Sequence, residues 1–119
     1  MKEPLLIDWI TEYVYTRPTE DLGHLTVSIL ADRFRRNRAY LSRRFHREKE
    51  VTLQKFLIQE KLRRGTLLLR NDRNLTVKAV TEILGFSSSE YFIRIFKRQF
   101  GLTPSRFRRC RLRDEPMAD

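Results

Sequence analysis

Hydrophobic positions recur at helical spacing along nearly the whole chain, and the residues between them carry the chemistry of helix starts and stops. Leu6, Ile10, Tyr13 and Val14 form one stripe at intervals of three and four, and Thr16-Arg17-Pro18 ends it. Thr26 is placed to cap a short helix that buries Val27, Leu30, Ala31 and Phe34. Asn37 then caps a second helix with Tyr40, Leu41 and Phe45 inward, and Thr52 opens a long third one carrying Leu53, Phe56, Leu57, Leu62 and Leu68. The pattern restarts at Thr76, which caps a helix running to Leu84. Gly85 and Ser87-Ser88 make a turn, and Tyr91, Phe92, Ile95 and Phe96 line the inside of the next helix. Gly101 supplies a left-handed stop, and Thr103-Pro104 begins a last helix with proline at the favoured first position. No alternating strand pattern occurs. The predicted fold is all-α: about seven helices, arranged as two runs of short helices joined by one long linker helix.

The restart is a repeat. Leu25-Thr26-Val27 matches Leu75-Thr76-Val77, Phe34 matches Leu84, and Tyr40-Leu41 matches Tyr91-Phe92. Arg43, Phe45, Thr52 and Phe56 match Arg94, Phe96, Thr103 and Phe107. The offset is 50 residues up to the middle of the repeat and 51 after it, so the second copy has one extra residue at a turn. The run Arg70-Asn71-Asp72-Arg73-Asn74 is the clear polar break, which puts the first unit with its linker helix at residues 1–70 and the second at 71–119.

Charge then narrows the partner. The chain of 119 residues has 25 Lys and Arg against 15 Asp and Glu, a net charge of +10, yet 40% of its residues are hydrophobic. That balance describes a folded basic protein whose partner is a polyanion, and excludes a disordered polycation. The single Cys110 permits no intrachain disulfide, no apolar run reaches the ~20 residues of a membrane span, and the N-terminus lacks an export signal. A cytoplasmic location, with no membrane partner, is expected.

Each half reads as a helix, a tight turn and a second helix with a polar outer face. In this arrangement the first helix crosses the phosphates and the second enters the major groove, where each base pair shows its own set of donors and acceptors. The outward face of the second helix in the first half carries Ala39, Ser42, Arg43 and His46, with Arg38 at its start. The equivalent face in the second half carries Glu90, Ile93, Arg94 and Lys97, preceded by Ser89. Arg38, Ala39, Ser42, Arg43, His46, Ser89, Glu90, Ile93 and Arg94 are the expected base readers, and Arg47, Lys97 and Arg98 the expected phosphate contacts. Arg43 and Arg94 occupy matching places, and arginine is the usual bidentate partner of guanine O6 and N7.

These residues resemble the AraC/XylS transcriptional regulators. Gly85-Phe86-Ser87, Tyr91-Phe92, Arg94, Phe96-Lys97, Gly101, Thr103-Pro104 and Arg108 are similar to that family's C-terminal signature. Leu30-Ala31, Phe34, Tyr40-Leu41-Ser42-Arg43 and Phe45 are similar to its first motif. The resemblance implies a seven-helix DNA-binding domain of two homeodomain-like helix-turn-helix units that lays two recognition helices in successive major grooves of double-stranded DNA. It also implies activation of transcription by touching RNA polymerase. Most members of the family have a separate sensing and dimerising domain, so the chain is expected to be a monomeric DNA-binding fragment in preference to a stand-alone regulator. Several positions depart from the pattern. Arg36 stands where the second half has Phe86, Arg44 where it has Ile95, and Glu50 where it has Gly101, which puts the first recognition helix's stop in doubt. Gly65 lies inside the long helix where the family usually has alanine, at a cost of about 1 kcal/mol. The first unit is therefore expected to be the less tightly packed.

Other readings stand beside these. The run of basic residues from Arg33 to Lys49 also suits a plain solvated face, and the arginines from Arg106 to Arg113 suit either phosphates or solubility. Ser87-Ser88-Ser89-Glu90 has capping-box spacing, the stronger reading for Glu90, in which its carboxylate bonds back to the helix start instead of to a cytosine. His24 and His46 lack the neighbours of a metal site, and no cofactor is expected. Neither a nucleophile with its base, nor a metal cluster, nor a phosphate loop is present, so an enzyme is not expected. The competing function is an interaction module that contacts RNA polymerase or a sensor domain and binds DNA only loosely.

Overall fold

The computed structural model describes residues 4–114, with side chains through Cys110, and shows helices alone among them. They are α1 (Leu6–Thr16), α2 (Thr19–Gly23), α3 (Val27–Arg33), α4 (Arg38–Lys49), α5 (Leu53–Asn71), α6 (Val77–Ile83), α7 (Ser89–Phe100) and α8 (Pro104–Asp114). Seven are those read from periodicity. The eighth, α2, is a single turn of five residues entered through Pro18, too short to show a period. The chain forms two compact units, Met1–Lys61 and Leu62–Asp119, and the division falls inside α5.

Helix starts follow the capping chemistry. Side-chain oxygens of Thr26, Asn37, Thr52, Thr76, Ser88 and Thr103 each accept the N–H of the residue three further on, at 3.0 to 3.3 Å. Each such bond satisfies a donor that the first helical turn leaves without an internal partner. The caps also locate the extra residue of the second copy. Arg36 and Phe86 correspond at an offset of 50, because their N–H groups donate to Ala31 and Thr81 respectively, whereas Asn37 and Ser88 correspond at 51. Ser87 is the insertion.

The core of the first unit holds Leu22, Leu30, Leu41, Phe45 and Leu53 together with Leu6, Ile7, Ile10 and Val14 of α1. The Tyr13 ring meets Phe34 edge-on at 5.7 Å, and Phe45 meets Phe56 at 5.2 Å. α1 thus adds four buried apolar side chains to the core that the helix-turn-helix pair supplies. The second unit is built on aromatics: Phe86 stacks on Phe92, Phe92 meets Phe96, and Phe96 meets Phe107 of α8, at 5.4 to 5.6 Å. Gly65 is what lets α5 approach that cluster. A Cβ there would lie 3.1 Å from Leu84 Cδ1 and 3.6 Å from the Phe92 ring.

The first unit keeps its turns without the expected residues. Both α3 and α6 end in the same hydrogen-bonded motif, with Arg35 and Gly85 in the left-handed position at φ 56° and 79°. Likewise α4 and α7 end on left-handed Glu50 and Gly101, at φ 60° and 84°. The stop that Glu50 put in doubt is therefore made, on a residue poorly suited to it. Where Phe86 stacks in the second unit, half-buried Arg36 instead donates from Nη1 to the carbonyls of Phe34 and Arg35, both at 3.0 Å. Where Ile95 packs, Arg44 donates to the Tyr40 hydroxyl at 3.0 Å and to Glu48 at 2.9 Å, and these two partners raise its pKa further.

Candidate nucleic-acid interface

On α4 the inward residues Leu41 and Phe45 are fully buried, which turns the opposite stripe outward. Arg38, Ala39, Arg43, His46 and Arg47 are exposed and Ser42 is half-buried. Four of these expected contacts, Arg38, Ser42, Arg43 and His46, line one open groove of about 650 Å³. Its other wall is Val27 at the start of α3 and Thr52, Leu53 and Gln54 at the start of α5. Two guanidiniums, a hydroxyl and an imidazole thus face a helix start whose first N–H groups have no helical acceptor, an environment suited to a polyanion. Thr52 and Gln54 are neighbours of the reading face that helical periodicity alone does not reveal. Their approach depends on the sharp reversal at Glu50, which a linear pattern does not encode.

On α7, buried Phe92 and Phe96 fix the orientation in the same way. Glu90, Arg94, Lys97 and Arg98 are exposed and Ile93 is half-buried. The Arg94 guanidinium carbon lies 5.3 Å from the centre of the Tyr91 ring, a cation–π contact that holds the side chain against its own helix. Ser89 is half-buried and its Oγ donates to Thr81 Oγ1 at 3.5 Å, so it ties α7 to α6. The capping box expected for Glu90 is not formed. The cap is Ser88, one residue later than that spacing needs, and exposed Glu90 has no side-chain partner among the described residues. Its carboxylate is left on the outer face of the first turn.

Arg108, part of the basic tail, is engaged in structure: it donates to backbone carbonyls of Leu69 and Asp72. The tail residues Arg111 to Arg113 lie outside the described side chains. Among the described residues no group of His, Cys, Asp and Glu is arranged to hold a metal ion, and no helix is long and apolar enough to cross a membrane.

A family model described as a helix-turn-helix domain matches residues 30–110, from within α3 to α8. The chain belongs to the AraC/XylS family. Its fold is that of an AraC-type DNA-binding domain, with two helix-turn-helix units. Regulatory protein SoxS of Salmonella typhimurium is 30% identical over 106 residues, covering 87% of this chain and 89% of that one. Transcriptional activator AggR of Escherichia coli is 34% identical over 82 residues, 69% of this chain, which spans only 30% of AggR's length. The DNA-binding domain of AdpA, a global transcriptional factor solved in complex with a target DNA, superposes with a TM-score of 0.75 at 25% identity, over 90% of this chain and 94% of that one.

Proposed function

We propose that this AraC/XylS domain binds a specific double-stranded DNA site, with α4 and α7 as recognition helices laid in successive major grooves, and so regulates transcription. The observation that carries the reading is the equivalence of the two helices. Each has a capped N-terminus, a left-handed stop and an exposed arginine, Arg43 or Arg94, at the matching place on its outer face. That AdpA's DNA-binding domain is bound to a target DNA supports the same use here. In this reading Arg43 and Arg94 take guanines, half-buried Ile93 meets a thymine methyl, and Arg47, Lys97 and Arg98 meet phosphates. Arg38, Ala39, Ser42, His46 and Glu90 complete the base-facing surface, while Ser89 contributes through its bond to Thr81.

The domain acts as a monomer in the cytoplasm, by binding and without catalysing a step, and activates by contacting RNA polymerase. Selection of duplexes from a random pool tests the central claim. Enrichment of one non-palindromic site with two separated conserved blocks is the expected result. No enrichment, together with a steep dependence of affinity on salt, would favour the loosely binding interaction module instead.

A further inference from the structure

Among the described residues only Arg35 and Glu50 combine a side chain with a positive φ, and they bracket α4. The second unit solves both turns with glycine, at Gly85 and Gly101, where a left-handed backbone meets no Cβ penalty. Arg35 therefore occupies a conformation that its twin position shows to be better served by glycine. A strained residue that persists points toward a use for its side chain.

The neighbours leave that side chain available. Arg36 next to it is spent on the turn itself, donating to the carbonyls of Phe34 and Arg35. Arg35 is exposed, and its guanidinium makes no ion pair or hydrogen bond among the described residues, although Asp32 lies only three positions earlier. The position is also the one that joins the two helices of the motif, between the helix that crosses the sugar-phosphate strand and the helix that enters the groove. Charge follows the same asymmetry: residues 33–49 contain eight Lys and Arg, while residues 83–100 contain three.

We propose that Arg35 is a DNA-backbone contact that only the first unit can make, gripping a phosphate beside the groove entered by α4 at the expense of conformational strain. The second unit, with Gly85, has no counterpart at its turn, so the two units hold the DNA backbone differently: the first adds a contact from the turn before its recognition helix, while the second relies on Lys97 and Arg98 of α7 itself. The proposal rests on the DNA-binding reading and goes beyond it, because it assigns a role to a residue off the recognition helices.

The test compares Arg35→Gly, Arg35→Lys and Glu50→Gly with the unmodified chain. Thermal unfolding is read alongside titrations of a pool-selected duplex and an unrelated duplex over a series of salt concentrations. Arg35→Gly is expected to raise the unfolding midpoint by a few degrees, weaken both duplexes several-fold by the same factor, and reduce the slope of log affinity against log salt by about one. Arg35→Lys keeps most of that slope. Glu50→Gly relieves the same kind of strain and raises the midpoint without weakening either duplex. An Arg35→Gly chain with unchanged affinity and slope overturns the proposal while leaving the DNA-binding reading intact. An unmodified chain that binds neither duplex sinks that reading, and the proposal with it. A lowered midpoint for Arg35→Gly would show that the turn is not strained and remove the argument's basis.

Discussion

Arg108 holds the end of the long helix through Leu69. Its Nε donates to the Leu69 carbonyl at 2.9 Å, and its Nη2 reaches the Asp72 carbonyl at 3.1 Å, just beyond the last helical residue. A guanidinium placed there satisfies the Leu69 carbonyl, which the end of α5 leaves without a helical donor, and adds a second donor to the Asp72 carbonyl, which also accepts the Leu75 N–H; its charge suits the negative end of the helix. Arg108→Ala is expected to cost about 1 to 2 kcal/mol in urea unfolding. Arg108→Lys should recover little of that, because a single ammonium lacks the fork that spans two acceptors. An alanine variant as stable as the unmodified chain would show that water replaces the arginine at no cost.

Gly65 has an opposing pair of effects that the sequence alone could not weigh. Alanine there would favour the helix by about 1 kcal/mol, yet its Cβ would press on Leu84 Cδ1 at 3.1 Å, so the flexible tip of that leucine must give by a few tenths of an ångström. The two effects nearly cancel, and Gly65→Ala is expected within about 1 kcal/mol of the unmodified chain. Gly65→Leu cannot be accommodated between α5 and the Phe92 ring and should lose about 2 to 3 kcal/mol in the same measurement. A leucine variant of normal stability would mean that α5 is not seated against the aromatic cluster.

What the sequence showed, and what it hid, divides along the range of the interactions. Caps are local, so Thr26, Asn37, Thr52 and Thr76 could be assigned from the residue types that start helices. The repeat exposed the paired arginines for the same reason, since periodicity along one helix decides which residues face out. Capping-box spacing puts the cap of α7 one residue early because three serines in a row offer equivalent oxygens, and only backbone geometry selects Ser88. The role of α1 was illegible because its stripe says that it packs, not against what. Arg35 is hidden for a deeper reason: a left-handed conformation is normally announced by glycine, and here neighbouring bonds impose it on another residue, whereas the repeat does align Glu50 with Gly101 and so marks that stop. The groove beside Arg43 needed the reversal at Glu50 before Gln54 could be brought to it.

Arg43 and Arg94 are expected to read different bases. Each substitution to alanine should cost about 1 to 3 kcal/mol on the selected site and relax preference at one base position, with the two positions in separate blocks. Titrations against single-base variants of the site give the pattern directly. Arg94 starts against the Tyr91 ring, so Tyr91→Leu should weaken the preference attributed to Arg94 and leave that of Arg43 untouched. If both alanine variants weaken every sequence equally, the two arginines are phosphate contacts and the readers lie elsewhere on the same faces.

The last expectation concerns spacing. α5 is an unbroken helix of 19 residues, a rise of roughly 28 Å, and it contains no proline that would bend it. Successive major grooves on one face of DNA recur at about 34 Å, or about ten base pairs. In the proposed function the two blocks of the site must therefore keep their helical phase. Inserting about five base pairs between them turns the second block to the opposite face of the duplex, and in the two-groove function affinity should fall toward that of a single block. Titrations with zero, about five and about ten inserted pairs separate the possibilities. Loss of affinity in both insertions, deeper for the half-turn, supports two units reading together. Equal affinity with the half-turn insertion would mean that one unit reads alone or that α5 yields near Gly65, and the rigid two-groove function would have to be given up even though each recognition helix stayed intact.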